Sequence, residues 1–163
     1  MTDGTRPSTS SGRIPALAIA TALGTGYIPF APGTLGSVVG LLLWWALPAS
    51  PIVQGAAIVL LFAIGSWSGS VAERHFGKAD PGQVVIDEVM GMLITLFLNP
   101  VGWLGALGAF LLFRIADVIK PFPADRLESL HGGVGVMADD AMAAIYANLV
   151  LRAALALGNR VIG

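Results

Sequence analysis

The 163-residue sequence contains no cysteine. That excludes disulfides, thiolate metal sites and cysteine-nucleophile chemistry. Charge is nearly as scarce, at 12% of residues against about 25% in an ordinary soluble domain. No charged residue occurs between Arg13 and Glu73, or between Glu88 and Arg114. A net charge of −1 offers no basic surplus, so no nucleic-acid partner is expected. Nor does the sequence carry an internal repeat of the kind that builds transporters.

What remains is apolar. Hydrophobic residues make up 55% of the chain and the mean hydropathy is +0.78. Uncharged apolar stretches of about 20 residues read as membrane spans. A chain this short lacks the interior volume to hide so much apolar surface as a soluble helical domain. We therefore expect an all-α fold, a polytopic helical membrane bundle with four to five spans and glycine-rich loops on the cytoplasmic side. The apolar helices are expected near 34–47, 52–72, 84–98, 101–119 and 137–157. Prolines at the Pro48–Pro51 and Asn99–Pro100 turns stop propagation. Residues 1–13 read as a disordered tail rich in Ser, Thr and Gly, 14–158 as one domain and 159–163 as a C-terminal tail. Ile14–Leu23 loosely resembles a signal peptide without a convincing cleavage site, so no cleavage is expected.

Lys and Arg set the orientation. Arg6, Arg13, Arg74, Lys78, Lys120 and Arg126 fall on one side, and the turns on the other side are uncharged. Excess positive charge marks the cytoplasmic side. A last helix that crosses would place Arg152 and Arg160 outside, and a tilted or partly inserted one would not.

Five of the ten carboxylates, Asp87, Glu88, Asp117, Asp139 and Asp140, lie inside or at the ends of apolar stretches. A carboxylate in a hydrophobic span is costly and by default marks a functional site. Several together suit a hard cation such as Mg²⁺. Asp87 and Glu88 stand about 100° apart on a helix, so at most one is expected to face a cavity centre. Arg114, Asp117 and Lys120 share a helix face at i, i+3, i+6. They form either a salt-bridge ladder or a phosphate clamp beside a metal ligand. In Gly132-Gly-Val-Gly-Val-Met-Ala-Asp-Asp140, a glycine loop is expected to lead into a helix opened by two acids. Gly133 there could approach a phosphate through its backbone N–H, or the motif could be a simple N-cap and acidic first turn. Ala31-Pro-Gly-Thr-Leu-Gly-Ser37 likewise opens an apolar helix, with Gly33, Thr34 and Ser37 as phosphate-binding or capping residues. His75 and His131 read as loop residues, His131 being the better acid–base candidate. Asp80 and Glu73 are outer candidates only.

Together these residues resemble the phosphatidylglycerophosphatase A family of bacterial inner-membrane phosphatases. The resemblance rests on Thr25-Gly-Tyr-Ile-Pro with Ala31–Ser37, Val85-Ile-Asp-Glu-Val-Met-Gly91, Phe113-Arg-Ile-Ala-Asp-Val-Ile-Lys-Pro-Phe-Pro123, and Gly132–Asp140 followed by Ala144-Ile-Tyr-Ala147. It implies Mg²⁺-dependent hydrolysis of phosphatidylglycerol phosphate to phosphatidylglycerol and phosphate, and the charge asymmetry predicts an active site facing the cytoplasm. Asp87, Glu88, Asp117, Asp139 and Asp140 would hold metal, with Asp117, Asp87 and Asp139 as catalytic candidates. Arg114 and Lys120 would bind phosphate. Attack by water and an aspartyl-phosphate intermediate both remain open, as does the oligomeric state. Two other classes use similar residues. An acid-lined transporter or channel gives no reason for Arg114, Lys120 and the glycine loops on one side. A metal-dependent phosphatidyltransferase would carry an acid pattern on one helix pair that is absent here.

Overall fold

The computed structural model describes residues 12–127, 130 and 132–162. Seven α-helices and no strand occur among them. They are α1 (Arg13–Ala20), α2 (Pro32–Ala46), α3 (Pro51–Phe76), α4 (Ile86–Leu96), α5 (Trp103–Ile119), α6 (Ala124–Leu127) and α7 (Gly133–Ile162), with a 3₁₀ turn at Thr25–Tyr27.

Local chemistry fixes the ends. Prolines open α2 and α3, where a missing N–H costs nothing and φ is already helical. Gly77 closes α3 in the left-handed region (φ 67°), and its N–H donates to the Glu73 carbonyl at 2.8 Å, a common C-terminal arrangement. The last carbonyls of α4 would be orphaned in an apolar core. The Asn148 amide on α7 reaches across to this end, donating to the Ile94, Thr95 and Phe97 carbonyls at 3.0, 3.0 and 2.8 Å in shared hydrogen bonds.

Helix α4 is the axis of the bundle. Ile86, Val89, Met90, Met92, Leu93 and Leu96 are all buried. Helix α2 crosses it closely because Gly36 and Gly40 present no side chain. A Cβ at Gly36 would lie 2.9 Å from the Val85 carbonyl oxygen, and one at Gly40 would lie 2.6 Å from that of Val89. The Phe113 ring of α5 fills the space beside Gly91. The helices alternate in direction. The turns 47–50 and 97–102 meet at one end, where Trp44, Gln54 and Asn99 line a shared pocket. The start of α2, the starts of α4 and α7 and the end of α5 meet at the other.

Two helical stretches, Pro51–Phe76 and Gly133–Gly158, are long and apolar enough to cross a membrane. Only 22% of the apolar window of each is buried within the protein, unlike the core helix of a soluble domain. Leu42, Val59, Leu60, Leu104 and Leu149 stand exposed on the outside.

Three expectations are corrected. Helix α4 spans 11 residues, ~16 Å at ~1.5 Å per residue, and is wrapped by its neighbours. It is therefore a core helix, not a span over 84–98. Helix α7 begins at Gly133, not near 137, so the glycine stretch is helical and the acids lie past its first turn. That excludes the N-cap reading of Asp139 and Asp140. Finally, His75 lies in the last turn of α3, its ring against Phe76. His131 lies outside the described residues.

Candidate active site

The end of the bundle where α2, α4, α5 and α7 meet holds a cavity of about 390 Å³. Asp80, Asp87, Glu88, Asp117, Asp139 and Asp140 line it, with Arg114 and Lys120. Six carboxylates thus share the space with two cations.

Five of the six fall into two groups. Asp117 and Asp139 have cationic partners. Arg114 Nη1 lies 2.8 Å from Asp117 Oδ2 and 3.9 Å from Glu88 Oε1. Lys120 Nζ donates to Asp139 Oδ2 at 2.6 Å. Asp87, Glu88 and Asp140 converge instead on one another, each offering an oxygen within 4.8 Å of the other two. Both members of the 87–88 pair therefore take part, where helix angles alone predict at most one. The longer Glu side chain reaches round to the same space.

The two acidic pairs are built alike. Asp87 Oδ1 accepts the N–H of Glu88 at 3.0 Å, and Asp139 Oδ1 accepts that of Asp140 at 2.8 Å. In each pair the second acid keeps a buried oxygen without a hydrogen-bond partner, Glu88 Oε2 and Asp140 Oδ2. Buried polar atoms are rarely left so. An all-oxygen set with two orphaned acceptors matches a hard divalent cation. A metal at Asp87, Glu88 and Asp140 fits the residues present.

The start of α2 forms another wall. Gly33 and Thr34 line the cavity. A Cβ at Gly33 would overlap Glu88 Oε1 and lie 3.2 Å from Arg114 Nη2, so any side chain there would push the Glu88 carboxylate aside. Ser37 is turned away, fully buried, its hydroxyl donating to the Gly33 carbonyl at 3.0 Å. Gly133 is not among the lining residues. Its N–H donates to Ser70 Oγ at 2.8 Å, and a Cβ there would meet the backbone of Ser66 and Ser70. It packs α7 against α3 and has no N–H left for a phosphate.

Asp80 is the residue that the sequence undervalues. It lines the cavity, and its N–H donates to Glu73 Oε1 at 3.3 Å. Ala31, Asp80 and Lys120 are all left-handed, with φ of 47°, 44° and 46°. Each precedes a proline, which disfavours right-handed helix at that position. Non-glycine residues held there cost about 1–3 kcal/mol and gather at functional sites. The signal in the sequence is three X-Pro steps, at Pro32, Pro81 and Pro121, around one set of acids.

The sequence model for phosphatidylglycerophosphatase A matches residues 18–155, which takes in every lining residue. The chain belongs to the phosphatidylglycerophosphatase A family. Phosphatidylglycerophosphatase A of Escherichia coli K12 is 33% identical over 136 residues, 82% of this chain and 79% of the relative. The Haemophilus influenzae protein of that name is 38% identical over 140 residues, 82% and 84%. A Bacteroides thetaiotaomicron protein provisionally named phosphatidylinositol-3-phosphatase is 38% identical over 146 residues, 83% and 91%. No solved structure matches the chain. Membership of the phosphatidylglycerophosphatase A family makes this chain a phosphatase, and the acidic cavity is its candidate active site.

Proposed function

We propose that this chain hydrolyses phosphatidylglycerol phosphate to phosphatidylglycerol and inorganic phosphate, using Mg²⁺, at the cytoplasmic face of a bacterial inner membrane. The observation that carries the reading is the convergence of Asp87, Glu88 and Asp140 within 4.8 Å, two of them with orphaned buried oxygens. Bound there, a divalent cation would neutralise phosphate charge and lower the pKa of a water.

The chain's own residues supply the rest. Arg114 and Lys120 direct N–H donors toward the equatorial oxygens of the transferring phosphoryl group. Asp117 and Asp139 hold those two side chains in place through their ion pairs. The first turn of α2, with Gly33 and Thr34, offers free backbone N–H groups and the positive end of a helix dipole. Asp117 and Asp87 are the candidates for direct catalysis, since both oxygens of Asp139 are engaged by Lys120 and the Asp140 N–H. Attack by water leaves no covalent species, whereas attack by one of these carboxylates gives an aspartyl phosphate that hydroxylamine traps.

The apolar outer face supports insertion, with α3 and α7 crossing. Helices α2 and α5, ~22 and ~26 Å long, would span most of a ~30 Å hydrocarbon core, giving four spans around α4. Arg152, near the Phe97 carbonyl, would then face outward. A cysteine at Lys78 should label only from the cytoplasmic side and one at Ser50 only from outside.

The test is phosphate release by purified protein in detergent micelles. Phosphatidylglycerol phosphate should be hydrolysed with Mg²⁺ and not in EDTA, and faster than phosphatidylinositol 3-phosphate. The opposite preference would move the substrate to that of the Bacteroides relative's name. Release from neither lipid sinks the reading.

A further inference from the structure

Exposed apolar side chains adjoin two of the stretches that line the cavity. On one side the segment before α2 exposes Ile28 and Phe30, the latter 83% exposed, immediately before the lining residue Ala31. The end of α5, which also contributes to the lining, exposes Val118 and Ile119, at 75% and 67%. Val118 itself lines the cavity. The chain then presents Phe122 outward, with the Arg126 guanidinium 4.9 Å over its ring.

Both sides are held in place. Tyr27 packs edge-on against Phe76 at the end of α3, ring centroids 6.4 Å apart. Tyr146 on α7 donates its hydroxyl to the Phe122 carbonyl at 2.8 Å. Exposed apolar side chains on anchored backbone are costly in water and favourable where hydrocarbon meets headgroups. An aromatic ring topped by a guanidinium suits that boundary, with the ring toward acyl chains and the cation toward lipid phosphates.

We propose that these two apolar lips dock on the bilayer surface, so that a phosphomonoester lipid slides sideways into the acidic cavity while its acyl chains stay in the membrane. This rests on the reading of the cavity as a lipid phosphatase site. The occupant is a glycerophospholipid bilayer. A polar, cation-bearing cavity directly behind an apolar rim complements a molecule with a phosphate at one end and hydrocarbon at the other. The lips would favour membrane-held monoesters over water-soluble ones with the same head.

The chain lacks cysteine, so single-cysteine spin labels test the placement without any activity. In proteoliposomes, labels at Phe30 and Ile119 should collide with oxygen and be shielded from a water-soluble paramagnet, at a depth of about 5–10 Å. A label at Lys78 should show the reverse. Labels at both lips as water-accessible as that at Lys78 would overturn the proposal. The functional arm compares Phe30→Ser and Ile119→Ser on long-chain phosphatidylglycerol phosphate in the same bilayer and on its monomeric dihexanoyl analogue. We expect kcat/KM on the bilayer substrate to fall about tenfold with the short-chain value unchanged. Equal losses on both substrates, or no loss on either, count against the lips. If wild-type protein hydrolyses neither, the phosphatase reading fails, and the label depths still decide whether the lips meet the membrane.

Discussion

Lys120 Nζ donates to Asp139 Oδ2 at 2.6 Å, joining the end of α5 to the second turn of α7 at the edge of the acidic cavity. Asp139 is thereby committed to Lys120 and to the Asp140 N–H, while Asp140 faces Asp87 and Glu88. Adjacent acids should therefore fail differently. Asp139→Asn should raise the Mg²⁺ concentration for half-maximal activity about tenfold, as loss of an outer partner does. Asp140→Asn should raise it well beyond that. Titrating activity with Mg²⁺ and following Mn²⁺ binding by EPR checks both, and a larger effect at Asp139 would reverse the assignment.

Metal removal should be visible in stability as well as turnover. EDTA should abolish phosphate release, and Mg²⁺ should restore it. A ligand that binds only the folded state at 100 times its Kd stabilises by about 2.7 kcal/mol, several degrees for a chain of this size. Wild-type protein in detergent should show that shift with Mg²⁺, and Asp140→Asn should not. A shift of equal size in the variant would place the ion elsewhere.

The acids were legible because carboxylates among apolar residues are conspicuous, and Arg114, Asp117 and Lys120 because three-residue spacing puts them on one face. Helices α3 and α5 were legible from uncharged runs bounded by prolines and glycine. The start of α7 was not. Gly132-Gly-Val-Gly reads as a loop by propensity, but contact of Gly133 with Ser66 and Ser70 across the bundle pays for the helix. The role of α4 as a buried axis was hidden for the same reason, since its apolar sequence cannot say whether it faces lipid or four other helices. Asp80 was undervalued because its place in the cavity depends on a left-handed turn that the sequence marks only by the following proline.

Gly33→Ala isolates the close approach of α2 to the acids. Within a helix, alanine is ordinarily better than glycine by about 0.5–1 kcal/mol. At Gly33 the added Cβ overlaps the Glu88 carboxylate, so we expect weaker metal binding and a loss of activity on the order of tenfold or more. Gly108→Ala, in α5 with nothing within 4 Å of the new Cβ, should keep activity and melt slightly higher. Equal behaviour of the two variants would deny Gly33 a role at the site.

Gly133→Ala separates packing from phosphate binding. The methyl group would meet the backbone of Ser66 and Ser70, and backbone cannot rotate away as a side chain can. The variant should lose several degrees of melting temperature, or much of its folded yield, while the folded fraction retains its KM for the lipid. A raised KM at unchanged stability would favour the phosphate-binding reading instead.

Asp117→Asn tests the Arg114 pairing most directly. The substitution keeps the shape of the side chain and removes its charge. If Asp117 is only one end of a salt-bridge ladder, turnover per folded molecule survives, and stability falls by up to a few kcal/mol, because the pair is largely buried. If it positions Arg114 for the phosphoryl oxygens or takes part in the chemistry, the Arg114 Nη1 contact at 2.8 Å is weakened where transition-state charge develops. We expect a rate loss on the order of 10³-fold, ~4 kcal/mol of barrier. Lys120→Ala should cost less, because Arg114 remains. Melting temperature measured beside turnover in the same detergent distinguishes the two roles. Near wild-type turnover by a folded Asp117→Asn protein would remove Asp117 from the catalytic machinery and leave Asp87, Glu88 and Asp140 to account for the site.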